Sequence, residues 1–346
     1  MKIENIILLA KQNKASDVHL IFNLPPKFRI IGELLTLTHE TLTDDDCMSL
    51  AEQIMNEDQL NIFMKTGEYD LAKTICDTRV RINIFKQSGH ISIALRLLND
   101  SIPALETLGL PPAVSSLTEL RRGIVIVTGQ TGSGKSTTLA SILDRINHTR
   151  RVHILTLEDP IEYKYTPDLS IINQREIGRD TLSYHSGLYA SLREDPDVLL
   201  IGEIRDPAAI ETALTAAETG HLVFTTLHTG SSADSIDRIV DSFPDAKQRQ
   251  IRMQLSMTLS AVISQQLLPN KDGSARILAS ELMLVNSAIK NLIREGKTPQ
   301  IDNVIATTAE SGSLTMDNSL LKLVREGKIS METARTAARN KDYINS

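Results

Sequence analysis

The sequence predicts an α/β chain in two parts, a small α+β domain followed by a larger domain in which strands and helices alternate around a phosphate-binding loop. Three observations predict it. The 346 residues are more than one ordinary core and less than three. A break marked by Pro103, Pro111 and Pro112 separates a region of short strands from one where apolar strands run into helices. Finally, the strand Gly123-Ile124-Val125-Ile126-Val127-Thr128 leads directly into Gly129-Gln130-Thr131-Gly132-Ser133-Gly134-Lys135-Ser136 and then a helix to about Ile146.

Each element has its own signal. Ile3, Ile6, Ile7 and Ala10 fall at i, i+3, i+4 and i+7, a short helix with one buried face. Strands are expected at Asp17 to Phe22 and Lys27 to Ile31, then one helix from Asp44 to Met64 opened by Thr43 and three aspartates. Further strands are expected at Tyr69 to Thr74, Val80 to Phe85 and Ile91 to Leu98. Asn99 to Ser116 reads as the linker, which sets an N-terminal domain at 1–100, a connection at 101–117 and a C-terminal domain at 118–346. In the second domain His153 to Leu157, Asp197 to Ile201 and His221 to Leu227 read as buried strands, and the tail from Leu314 to Asn345 as two helices broken at Gly327-Lys328.

Composition narrows the function. With 41% apolar and 23% charged residues the chain has globular values, and no run approaches the roughly 18 apolar residues of a membrane span. Met1-Lys2-Ile3-Glu4-Asn5 lacks the basic patch and apolar block of a signal peptide, so a cytoplasmic protein is expected. Cys47 and Cys76 have no metal-ligand spacing and support neither a disulfide scaffold nor a zinc knuckle. A net charge of -6 gives no global reason to bind nucleic acid.

The loop assigns a task to each residue type. Its glycines let backbone N–H groups turn inward around a phosphate, and the following helix start adds partial positive charge. Lys135 reaches the β- and γ-phosphates and Ser136 ligates Mg²⁺, so Gly129, Thr131, Gly132, Ser133, Gly134, Lys135, Ser136 and Thr137 form the expected ATP-binding set. Acids for hydrolysis stand at two strand exits. One is Glu158-Asp159-Pro160-Ile161-Glu162, where either Glu158 or Glu162 could orient water; the other is Glu203, after Val198-Leu199-Leu200-Ile201-Gly202. The usual Walker B aspartate falls on Gly202, a departure from the generic pattern.

Positive charge for the developing γ-phosphate has candidates in the small domain. On a strand, Val80, Ile82 and Ile84 face the core while Arg79 and Arg81 share the opposite face; Arg96 is similarly placed on the next strand.

That departure, with other landmarks, resembles the PilT-type retraction ATPases of type IV pili, within the type II/IV secretion ATPases. The matching segments are Ala15-Ser16-Asp17-Val18-His19-Leu20, the P-loop, the Glu158 to Glu162 box, Asn173-Gln174-Arg175-Glu176, Leu192 to Asp197, Gly202-Glu203-Ile204-Arg205-Asp206, Thr215 to His221, and Thr225-Thr226-Leu227-His228-Thr229. The resemblance implies a RecA-like ATPase domain behind a PAS-like N-terminal domain. It makes Glu162 the general base, Glu203 the acid holding Mg²⁺ through water, and His228 a γ-phosphate-side residue, with His221 less defined. It brings Arg79, Arg81 and Arg96 to the nucleotide and gives Arg193 and Arg205 places near the ATPase core.

It further implies a homohexamer acting on an inner-membrane pilus platform protein, peripheral at the cytoplasmic face, with no nucleic acid partner. Retraction is favoured over the alternative, a pilus-assembly or secretion ATPase, because no Cys-x-x-Cys module is present and Ala288-Ile289-Lys290-Asn291-Leu292-Ile293 is similar to the helix of retraction motors, with Lys290 in place of an arginine.

Overall fold

The computed structural model describes residues 1–98, 101–204 and 206–345. It divides into two compact units, Met1–Ser101 with Pro160–Lys164, and Ile102–Asp159 with Tyr165–Ser346.

Unit 1 opens with α1 (Ile3–Gln12), which buries Ile3, Ile6, Ile7 and Ala10 as its spacing predicts. Strands β1 (Asp17–Ile21), β2 (Lys27–Ile30) and β3 (Glu33–Thr36) are followed by helices α2 (Asp44–Ile54) and α3 (Glu57–Thr66). Then come β4 (Glu68–Ile75), β5 (Thr78–Gln87) and β6 (His90–Leu97), giving an antiparallel sheet in the order β3-β2-β1-β6-β5-β4. Tight hairpins join these strands, with positive φ at Ile31 and Gly32, at Cys76 and Asp77, and at Ser88 and Gly89. One face packs Val18, Leu20, Phe28, Val80, Ile82 and Leu95 against Leu50, Ile54 and Phe63, the arrangement of a PAS-like α+β domain.

The single helix expected from Asp44 to Met64 is in fact two. Met55 is extended, and Asn56 starts α3 through a capping box in which its side chain accepts from the Gln59 N–H while Gln59 accepts from the Asn56 N–H.

Unit 2 holds β7 (Gly123–Thr128), α4 (Lys135–Thr149), β8 (His153–Glu158), β9 (Ile171–Glu176), α5 (Tyr184–Ser191), β10 (Val198–Ile201), α6 (Pro207–Glu218) and β11 (Leu222–Leu227). After these come α7 (Ser232–Asp241), α8 (Asp245–Thr258), β12 (Leu259–Pro269), β13 (Arg276–Leu284), α9 (Ser287–Glu295) and α10 (Ile301–Thr307). The sheet order is β13-β12-β7-β11-β10-β8-β9, parallel except for the β12–β13 pair. This is the RecA-like core. Strands β7, β10 and β11 are buried along their whole length, since helices cover both faces. Leu105, Val114 and Leu117, from the proline-marked stretch, join that core on the α4 side. Strand β12 meets β7 with a register shift between Leu259 and Ala261.

The tail is three helices where two were expected: α11 (Met316–Arg325), α12 (Met331–Ala337) and α13 (Lys341–Asn345). Gly327 makes the expected break with φ 69°, but a second break follows at Ala338, which is extended.

Candidate functional site

The parallel sheet gathers the chemistry of unit 2 at one edge. Neighbouring strands β7, β11, β10 and β8 end at the P-loop, His228, Glu203 and Glu158 respectively, the edge where such folds bind ligands.

The P-loop takes its shape from glycines with positive φ at 129, 132 and 134. A Cβ on Gly129 would run into the Gln265 carbonyl and come within 2.6 Å of Ser133 Oγ, so no side chain fits where the loop leaves β7. Helix α4 begins behind Gly134 without a side-chain cap, whereas Ser183, Asp206, Ser231 and Asn286 cap α5, α6, α7 and α9. A helix start without such a cap offers its first N–H groups and dipole to an anion. Lys135 is 8% exposed and donates from Nζ to the carbonyls of Gly129 at 2.8 Å and Gln130 at 3.0 Å. Ser133 Oγ and Gln265 Oε1 are buried with no hydrogen-bond partner, and both residues line a cavity of about 370 Å³ beside the loop. The cradle, the lysine and the orphaned polar atoms fit a bound phosphate ester.

Glu203 and His228 stand at adjacent strand ends, Oε2 and Nε2 3.6 Å apart, and face a second cavity of about 550 Å³. Gly202 explains the missing Walker B aspartate. A Cβ there would lie 2.9 Å from the Tyr184 hydroxyl and 3.2 Å from the Leu157 carbonyl. The Gly202 carbonyl also accepts the Thr226 hydroxyl at 2.5 Å, which fixes the backbone before Glu203. Glu158 is held in place, its Oε1 accepting from Thr156 Oγ1 at 2.6 Å and Gln174 Nε2 at 3.2 Å.

Residues 1–341 match the family described as type II/IV secretion system protein. The chain belongs to that family. It is 44% identical over 320 residues to a twitching motility protein of Neisseria gonorrhoeae, covering 92% of this chain and 86% of the relative. It is 42% identical over 340 residues to the type IV pilus retraction ATPase PilT of Pseudomonas aeruginosa, covering 98% of each. A crystal structure of the pilus retraction motor PilT with bound ADP superposes with a TM-score of 0.93 at 45% identity, over 99% of this chain and 98% of that one. The chain is thus an ATPase of the type II/IV secretion family; the arginines that the sequence singles out for the γ-phosphate lie in unit 1.

There Arg79 is buried at 8% exposure and donates from Nε to the carbonyl of Ile161 at 3.0 Å, next to the half-buried Glu162. Alternation places Arg79 and Arg81 on one face as expected, but only Arg81 is exposed. Arg96 reaches solvent and donates from Nε to Asp17 Oδ1 at 2.9 Å. Arg81 and Arg96 are register partners, and Asp17 is the next partner along that row.

Other sequence landmarks take structural places. His221 precedes β11 while His228 follows it, so a strand of about 20 Å separates them. The ring of His221 bonds through Nδ1 to the Ala216 carbonyl at 2.9 Å, closing the end of α6. Arg193 stacks over Tyr189 at 4.7 Å, and Arg205 lies outside the described residues. The Ala288 to Glu295 stretch is α9, capped by Asn286 and Gly296, with Ile289 and Ile293 buried and Lys290 half-buried. Sequence reasoning passed over Gln265, whose signal would have been a glutamine within a run of apolar strand residues.

Proposed function

We propose that this chain is an ATP-hydrolysing motor that drives retraction of a type IV pilus. The observation that carries the reading is the end-to-end match to a retraction ATPase. The uncapped P-loop helix and the acid–histidine pair at the next strand ends fit the chemistry.

In this reading the loop from Gly129 to Thr137 wraps the phosphates, and Lys135 exchanges the carbonyls of Gly129 and Gln130 for phosphate oxygens. Ser136 and Glu203 would hold magnesium, Ser136 directly and Glu203 through water, since magnesium keeps few protein ligands. When bound, that ion neutralises charge on the transferring phosphoryl group. Glu162 accepts the proton of the attacking water. The engagement of Glu158 by Thr156 and Gln174 supports Glu162 for the role. His228, beside Glu203, faces the γ-phosphate, while Arg79, Arg81 and Arg96 bring positive charge to the developing oxyanion.

The working unit is a homohexamer that acts on an inner-membrane platform protein from the cytoplasmic face. No helix among the described residues is long and apolar enough to cross a membrane, so contact with the membrane runs through that partner in this reading. The test counts surface pili and force-dependent motility in cells lacking the protein and in cells carrying only Glu162→Gln. Pili that persist while motility is lost are the expected outcome. Loss of pili would make the chain an assembly motor, and pili and motility both unchanged would remove it from the pilus machine.

A further inference from the structure

The C-terminal segment reaches back to the loop after His228 through one side chain. Arg339 donates from Nη2 to the Gly230 carbonyl at 2.8 Å, and its Nη1 lies 2.8 Å from Glu281 Oε2. Glu281 is on β13 and only 1% exposed. Its other oxygen accepts from the Ser232 N–H at 2.9 Å and the Ser232 hydroxyl at 2.7 Å. One buried carboxylate therefore holds the start of α7 on one side and the arginine on the other. The backbone around the arginine is fixed as well, because the N–H groups of Arg339 and Asn340 donate to the two oxygens of Asp317 at 2.9 and 3.1 Å. Asp302 lies 3.7 Å from the same Nη1; burial, then the Glu281 charge, push its carboxyl above the ordinary range.

The loop so held is the one beside the phosphate site. Thr229 donates its N–H to Thr128 Oγ1 at 2.9 Å, and the two hydroxyls are 2.6 Å apart, at the end of the strand that feeds the P-loop. The Gly230 carbonyl also accepts the Ser264 hydroxyl of β12 at 2.8 Å. Gly230, the P-loop, Thr336 and Ala337 share the cavity described above.

We infer that Arg339 is a positioning residue for ATP hydrolysis, fixing the His228-to-Ser232 loop against the P-loop strand through Gly230 and Glu281. The C-terminal helices thereby set the geometry of a site to which they contribute no catalytic group. A planar guanidinium can serve a carbonyl and a carboxylate together, which a lysine ammonium at the same place does poorly. The inference rests on the P-loop being the hydrolytic site.

The test uses the full-length protein, with ATP turnover, binding of a fluorescent ATP analogue and melting temperature measured side by side. Arg339→Lys keeps the charge near Glu281 and loses the second prong. It should lower kcat about 10-fold with KM changed less than about 2-fold, at a melting temperature close to wild type. Arg339→Ala should melt earlier, because it leaves Glu281 buried and uncompensated. Adding Glu281→Gln should restore melting but not kcat. Wild-type turnover in the lysine variant or in the double variant would reduce Arg339 to a neutralising charge and overturn the inference, as would a rise in KM at unchanged kcat. Should Arg339→Ala not fold, the other two variants decide the matter. A wild type that hydrolyses no ATP would overturn the ATPase reading and the inference together, a result distinct from an active wild type with unaffected variants.

Discussion

The two sheets treat charge in opposite ways. In unit 2, β7, β10 and β11 are buried throughout, so polar chemistry is confined to strand ends, where the P-loop, Glu203 and His228 collect. In unit 1 one sheet face packs the core while the other carries charges within the strands themselves, from the buried Arg79 to the exposed Arg81 and Arg96. Arg29, Asp17, Arg96 and Arg81 form a cross-strand row of register partners. A buried parallel strand marks its site by the residue that follows it. An open antiparallel face reveals only which side chains share a surface.

The comparison can be broken most sharply at the strand ends. Lys135→Ala should reduce phosphate release about 10²- to 10³-fold while the fold survives, the scale of losing a preorganised charge-stabilising donor. Substantial turnover in that variant would sink the strand-end assignment. Next in size is Gly202→Ala, whose methyl would meet the Tyr184 hydroxyl and the Leu157 carbonyl. Overpacking of this kind costs about 1–3 kcal/mol, measurable as a lower denaturation midpoint. Arg81→Ala, on the open face, should leave stability within about 0.5 kcal/mol because surface changes are mild. If the residue serves the nucleotide, kcat should nevertheless fall about 10-fold. A variant unaffected in both would return Arg81 to the role of a solvated cation.

The smallest effect concerns Asp17. Burial raises its carboxyl, but hydrogen bonds from Arg96 and Ser16 outweigh that and hold it below its ordinary value of 3.8. Its contribution to stability is therefore fully present above that value and lost as pH falls through the lower folded-state value. With Arg96 largely exposed, the ion pair is worth about 0–1 kcal/mol. Arg96→Met should flatten the acid limb of a stability-against-pH curve by that amount; an unchanged limb would show that the pair contributes nothing.

What could be read beforehand follows the same division. The P-loop was legible because each residue type there has a separate task in phosphate binding. The first helix was legible because its four buried positions fall at helical spacing. The junction at Met55 and Asn56 was missed although its capping signal, Asn56 with Gln59, is present in the letters; continuous apolar spacing across it hid the break. Strands β3, β9, β12 and β13 were not anticipated; β3 has little buried surface to pattern it. The burial of Arg79 depends on a carbonyl 82 positions away, which no local pattern encodes. Arg339 belongs to the same class, being joined to a glycine 109 positions earlier.

The register shift at the start of β12 gives the strand one residue, Ser260, more than its pairing with β7 uses. Beyond the shift, Ala261 and Ile263 point into the core on the α4 side and Val262 into the opposite one. With Ser260 removed, Leu259 and Ala261 would still pair with the consecutive residues Ile124 and Val125, and every later side chain, that of Gln265 included, would keep its face, whereas loss of a residue well beyond the shift would turn part of the strand over. A deletion scan should therefore find loss of Ser260 less damaging than loss of a residue inside the strand such as Ile263. Over evolutionary time the start of the strand can gain or lose that one residue, while the count beyond it stays fixed.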